Sequence, residues 1–326
     1  MTRRVTPGLA AAVLLTLTAP LAAHELIPVR DQNPFIRGLY LPIAGDEPPA
    51  TGAVSQRFVL TVSNTMNIER TAGESIWVDG ESLEFRWLLA WQPLEGLQIR
   101  FTLPVVHYSG GALDSFVDEW HGALGLSGGW RPKVPGDDFI YYYGSPAGTL
   151  YQADSGTALG DSALEAGIRL RQTERGHLSA WLGVEAPTGD AARLTGNDTW
   201  DAGAWLEGVL LLNGRASLEA RAGLVRPGSA APLPIESQDL VPFGTVGATW
   251  NATPALALRL QVDAHGRMVE ETELRFLGDA VQLTLGAEYR SAGGWRWQLA
   301  LSEDVLVDAS PDFAIQLGVQ IGGRGR

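Results

Sequence analysis

The sequence predicts an all-β protein, a transmembrane up-and-down antiparallel β-barrel of about twelve strands behind a cleaved signal peptide. Three observations predict it. From Ser55 to Ile321, stretches of about ten residues alternate apolar and polar side chains, which gives each strand one apolar face. The connections between those stretches alternate between short and long, as a barrel with turns at one end and loops at the other requires. The chain also starts like an exported protein.

Residues 1–23 have the anatomy of that signal. Arg3 and Arg4 give a positive start, Leu9 to Leu17 an apolar core, and Pro20-Leu21-Ala22-Ala23 small residues before a cut ahead of His24. The core is too short to span a bilayer as a helix, which takes roughly 20 apolar residues. Residues 24–54 hold Pro28, Pro34, Pro42, Pro48 and Pro49 and predict an extended, irregular path, either in the periplasm or plugging the barrel.

The barrel is expected over 55–322, with strands at 55–65, 82–92, 96–107, 159–173, 177–187, 200–212, 215–226, 241–251, 255–265, 280–290, 294–303 and 312–322. The rows Leu83-Phe85-Trp87-Leu89-Trp91, Leu178-Ala180-Leu182-Val184-Ala186 and Phe313-Ile315-Leu317-Val319-Ile321 are regular apolar faces. The strand at 200–212 fits less well, because both of its faces are partly apolar. Short turns are expected at Pro93-Leu94-Glu95, Thr173 to Gly176, Asn213-Gly214, Ala252 to Pro254 and Ser291 to Gly293. Long connections are expected at 66–81, 108–158, 188–199, 227–240, 266–279 and 304–311. With the N-terminus in the periplasm, every short turn falls on the periplasmic side. Trp91, Trp250, Tyr289, Trp295 and Trp297 cluster near those turns and predict an interfacial girdle.

Charge narrows the partners. The formal net charge is −13, and loss of Arg3 and Arg4 takes it to −15. Such a chain carries no electrostatic footprint for nucleic acid. The chain contains no cysteine, which excludes a lipoprotein anchor, disulfides and thiolate chemistry. The expected partners are outer-membrane lipid and small solutes or ions.

The inward faces are strongly charged. Arg86, Arg100, Arg169, Arg171, Arg221, Arg259, Arg290 and Arg296 point the same way as Glu84, Glu165, Glu185, Glu219, Asp263 and Glu288. Unpaired charge in a narrow lumen is costly, so these groups are expected to pair with one another. They either line a pore that tunes ion passage or fill a small barrel with ion-paired side chains.

Two further constellations carry chemistry. His107 and Ser109 close the third strand on its apolar side, at the outer boundary. The layout resembles that of outer-membrane phospholipase A, and it makes a lipid-acting hydrolase the alternative to a channel. The residues that follow, Gly110 and Gly111, depart from the pattern expected of that enzyme. In the long loop, Leu113, Phe116, Val117, Trp120 and Leu124 recur at helical spacing. Asp114, Asp118 and His121 share a face of that helix and are candidates for a divalent metal or for acid/base work. No P-loop, HExxH or dinucleotide fingerprint is present, and no cofactor is expected.

The segments PVRDQNPF (28–35) and LDSFVDEWHGALGL (113–126) carry a family likeness. They resemble a family of Gram-negative outer-membrane proteins known as a domain of unknown function. Its members show a Pro-x-Arg-Asn-Gln-Asn-Pro start and a Leu-Asp…Phe-His…Gly-Leu loop, with Asp31 and Trp120 standing where asparagine and phenylalanine are usual. The residues themselves point to a narrow or gated channel or a structural or interaction barrel, and the resemblance implies a barrel in the outer membrane. It implies no catalytic activity.

Overall fold

The computed structural model describes residues 25–45, 48–111, 139–305 and 313–322. The predicted signal peptide and the helix carrying Asp114, Asp118 and His121 lie outside the described residues.

The described chain forms strands β1 (Val54–Arg70), β2 (Ser75–Leu94), β3 (Leu97–Ser109), β4 (Ile140–Ser145), β5 (Gly148–Gln152), β6 (Gly156–Leu159), β7 (Ser162–Thr173), β8 (Gly176–Ala186), β9 (Asp201–Leu211), β10 (Ala216–Arg226), β11 (Val241–Asn251), β12 (Leu256–His265), β13 (Ala280–Arg290), β14 (Arg296–Asp304) and β15 (Phe313–Gly322). Consecutive strands β7 to β15 pair antiparallel, and β15 returns to β1. β1 pairs β2, β2 pairs β3 and β3 pairs β7, so the sheet closes on itself as a twelve-stranded barrel. Closure removes the edges that an open sheet would present to lipid.

The predicted alternation is realised. Leu164 (52%), Leu182 (68%), Val246 (61%) and Leu285 (55%) point outward and are exposed, while Glu84, Arg86, Glu165 and Thr284 on the other face are buried. Apolar surface on that scale suits hydrocarbon rather than water. Trp250, Tyr289, Trp295 and Trp297 are exposed on the outside close to the short turns, and Trp295 stacks on Trp297 at 6.0 Å.

The turns form as the sequence demands. Asn213 Oδ1 accepts from the backbone N–H of Arg215 (2.8 Å) and Ala216 (3.0 Å), which folds the β9–β10 hairpin. Gly96 closes the β2–β3 turn at φ +78, a conformation that glycine adopts without strain. The barrel's first and last strand residues, Val54 and Gly322, lie at this same end, which faces the periplasm in outer-membrane barrels.

Three expectations need correction. The predicted long connection at 66–81 is a tight turn at 71–74, with Thr71 N donating to Glu74 O at 2.8 Å. β1 and β2 stay paired up to Arg70↔Ser75 because Ile76 and Val78 are covered by β4 and loop residues, so their pairing extends past the membrane. The single strand expected at 159–173 is broken. β6 pairs the outer half of β3 and β7 the inner half. Asp161 sits at the break, where its carboxylate accepts from the backbone N–H of Gly189 (2.7 Å) and Asn197 (3.0 Å) and fixes the loop before β9. Finally, a bulge between Arg169 and Arg171 shifts the register, so Arg169 faces inward-pointing Ser179 while Arg171 lies opposite outward-pointing Leu178. Arg171 is exposed and does not belong to the lumen.

Candidate functional site

The lumen is occupied by the chain's own N-terminal segment. Residues 25–44 are buried almost throughout, and they contact the inward faces of the strands. The first arm rises from the periplasmic end. The Glu25 carboxylate meets Arg57 and Arg296, each at 2.6 Å. Ile27 exchanges two hydrogen bonds with the Gln261 amide, donating its N–H at 2.6 Å and accepting at 3.0 Å. Arg30 reaches Glu185, and Gln32 donates to Glu84 at 2.9 Å.

The segment turns at 34–38 beneath the outer loops. Asn33 organises this turn: its side-chain oxygen accepts from Phe35 N, and its amide donates to Phe276 O at 2.6 Å. Phe35 packs edge-on against Tyr141 (6.4 Å) and Phe276 (6.0 Å), joined by Ile36, Leu39, Met268 and Leu277 in one apolar cluster. This cluster seals the outer mouth. The second arm descends past β7 to β9. Tyr40 donates its N–H to Asp201 (2.9 Å) and its hydroxyl to Glu165 (3.0 Å). The chain leaves the barrel where Gly52 N donates to Gln92 O at 2.7 Å.

Small residues on the inner wall make room for the segment. A Cβ at Gly247 would stand 2.5 Å from Leu26 Cδ2, and one at Gly286 would stand 2.6 Å from Ile27 Cδ1. A side chain at Gly183 would collide with the Tyr40 hydroxyl. Two small spaces lie beside the segment among the described residues. One cavity of about 30 Å³ is bounded by Arg30, Asp31, Arg221, Asp263 and His265, and another of about 20 Å³ by Glu25, His177 and Glu207. Each has room for a water molecule or two.

The predicted luminal charges pair partly as expected. On the wall itself, Arg86 meets Glu84 (3.4 Å), Arg259 and Arg290 meet Glu288 (2.9 and 3.0 Å), and Arg221 lies 3.9 Å from Asp263. Glu185 pairs instead with Arg30 of the segment. Arg100 pairs with Glu207 at 3.0 Å and stacks its guanidinium over Trp181 at 3.6 Å. Arg169 faces inward and is half-buried.

Sequence reasoning missed Glu207, Arg57 and the polar groups of the segment. Arg57 was within reach, because it alternates in phase with inward-facing Ser55 and Thr61 on β1. Glu207 was hidden by β9's apolar inner face, where Trp205 stacks on Trp181 at 5.9 Å inside the barrel. Glu25 and Arg30 sit in a proline-rich stretch with no period to read.

His107 and Ser109 end β3 as expected, and His107 lies on the outer side beside Leu83 and Thr157. The His107 ring Nδ1 lies 2.8 Å from Thr157 Oγ1 on β6. The contact described for this ring is thus with Thr157 and not with Ser109.

A family model described as "Protein of unknown function (DUF3187)" matches residues 11–322. The chain belongs to this family. Among solved structures, it is similar to an outer-membrane channel from Pseudomonas putida F1, with a TM-score of 0.56 and 14% identity over 87% of this chain and 97% of that one. Weaker likenesses include the NanC porin (TM-score 0.46, 8% identity, 82% and 98% covered) and a FadL homologue from Pseudomonas aeruginosa (0.40, 12%, 90% and 97%). The likeness to the Pseudomonas putida F1 channel shows the fold, that of an outer-membrane β-barrel. No curated protein matches the sequence.

Proposed function

We propose that this protein is a gated outer-membrane channel for small solutes, held shut by its own N-terminal segment. The observation that carries the reading is the filled lumen. Residues 25–45 occupy it from the periplasmic end to the outer loops, and the two cavities described beside them are small. The segment is bonded to the wall through polar and ionic groups, which can exchange with water. It is tethered at Val54, on the periplasmic side, so it can withdraw in that direction without breaking the barrel's pairing.

A reducible lock tests this. The chain has no cysteine of its own. Leu26→Cys combined with Gly247→Cys places a disulfide between the segment and β11. In a planar bilayer the oxidised protein is expected to be silent, and the reduced protein to show discrete conductance steps. Equal conductance in both states, or silence in both from a folded barrel, would remove the gated-channel reading.

A further inference from the structure

The Glu25 carboxylate lies in a site built by three barrel strands. The register places Arg57 opposite Gln320, Gln320 opposite Arg296 and Arg296 opposite Arg290, so one inner row across β1, β15, β14 and β13 holds three arginines. Arg57 Nη2 lies 2.6 Å from Glu25 Oε2, and Arg296 Nη1 lies 2.6 Å from Oε1, one guanidinium on each oxygen. Arg57 also donates to the side-chain carbonyls of Gln320 (2.7 Å) and Gln298 (3.2 Å), which hold its plane. Both Arg57 and Glu25 are 2% exposed.

The wall's own carboxylates in this region make their described bonds to other groups, although Glu288 also lies within electrostatic reach of Arg57 and Arg296. Glu288 takes Arg259 and Arg290, and Glu219 accepts from the hydroxyls of Ser217 and Thr249. The wall supplies both guanidiniums, and the carboxylate that bridges them comes from the removable segment. Withdrawal of the segment takes this bridging carboxylate away from the two arginines and leaves a place shaped for another one. A planar carboxylate with one guanidinium on each oxygen is the geometry for which arginine is suited.

We infer that Arg57 and Arg296 form a carboxylate-binding site of the lumen, filled by Glu25 when the channel is shut and by the carboxylate of a small solute when it is open. This rests on the channel reading and adds the solute class to it: small organic acids.

Chemical rescue tests the site in the full chain. Glu25→Ala is expected to lower the unfolding temperature in detergent. Acetate or formate should restore most of that loss, whereas chloride at equal ionic strength should not. The wild type should respond to neither. Adding Arg57→Gln should abolish the rescue, and Arg57→Lys should weaken the half-saturating acetate concentration by about tenfold. Recovery that is equal in chloride, or absent in acetate, would overturn the site. If Glu25→Ala does not refold, the refolding yield of Glu25→Gln becomes the readout: recovery in acetate supports the site, and failure in both salts overturns it. Rescue in a barrel that never conducts would leave the site standing and remove the channel. Conduction without rescue would do the reverse.

Discussion

Arg30 ties both arms of the luminal segment to Glu185 on the barrel wall through one guanidinium. Its Nη1 lies 3.3 Å from Glu185 Oε1, while Nη2 donates to the carbonyls of Arg37 (2.5 Å) and Leu39 (3.0 Å) beyond the turn. One side chain therefore closes the hairpin and anchors it. Removing one partner of such a buried pair leaves the other charge uncompensated, at a cost of about 3–5 kcal/mol. Arg30→Ala is expected to raise the open probability in single-channel records while leaving the barrel folded. Arg30→Met with Glu185→Leu removes both charges and should be milder than either single change. A double variant as leaky as Arg30→Ala alone would show that this pair does not hold the segment.

The fit between segment and wall makes a second prediction. Ile27 Cδ1 occupies the place that a side chain at position 286 would need. Gly286→Leu should therefore expel the first arm without disturbing the pairing of β13, since strands accept leucine more readily than glycine. Limited proteolysis from the periplasmic side should cut within 25–45 several-fold faster in this variant. An unchanged cleavage rate would mean that the segment shifts sideways rather than out.

How far the sequence shows this molecule depends on which residues repeat. The barrel wall was legible because lipid outside and polar groups inside impose a two-residue period on every strand. That period failed at Arg171, where a bulge that leaves no mark in the composition turned the side chain outward. It blurred at β9, where Trp205 faces inward to stack on Trp181. The luminal segment has no period, since each of its residues answers a different neighbour: Glu25 an arginine pair, Gln32 a carboxylate, Phe35 a loop phenylalanine. Charge count implied that the wall arginines had acidic partners. It did not imply that part of that acid arrives on a separate stretch of chain.

Glu74 joins two outer elements and predicts a pH response. It accepts from the Tyr143 hydroxyl on β4 (2.8 Å), from Thr272 Oγ1 (3.1 Å) and from Glu273 N (3.0 Å). Burial first, and then the hydrogen bond to Glu74, push the Tyr143 hydroxyl up to about 12. Because the folded value lies above the unfolded one, this contribution to stability is complete below the ordinary tyrosine value of about 10. It is lost as the pH rises through 12. Buried Tyr40, Tyr108 and Tyr141 also titrate late, so tyrosinate absorbance should show one late-titrating hydroxyl fewer in Tyr143→Phe than in the wild type, and one shifted back toward the ordinary value in Glu74→Ala. Glu74→Ala should also loosen the outer hairpin by about 1–2 kcal/mol, read as faster amide exchange over 141–151. A late-titrating count that is the same in Tyr143→Phe as in the wild type would show that this contact does not form.

His265 and Asp31 provide a second attachment, of a different kind from Arg30. The ring Nε2 lies 3.0 Å from Asp31 Oδ2, and Nδ1 lies 2.9 Å from Gly266 O. Both neighbours accept when Asp31 is ionised, so the two contacts favour a ring that carries both protons, an imidazolium facing a carboxylate. Raising the pH until the ring loses a proton leaves a bare nitrogen facing an acceptor or removes the charge from the pair, and in either case the segment is held less well. Channel openings in the wild type should therefore become more frequent as the pH rises. Asp31→Asn should flatten that dependence, because an amide bonds to the neutral ring as well as to the charged one. His265→Gln should open more often at neutral pH and respond little to pH. If Asp31→Asn kept the wild-type pH profile, the response would belong to another group lining the same cavity, with Asp263 the nearest alternative.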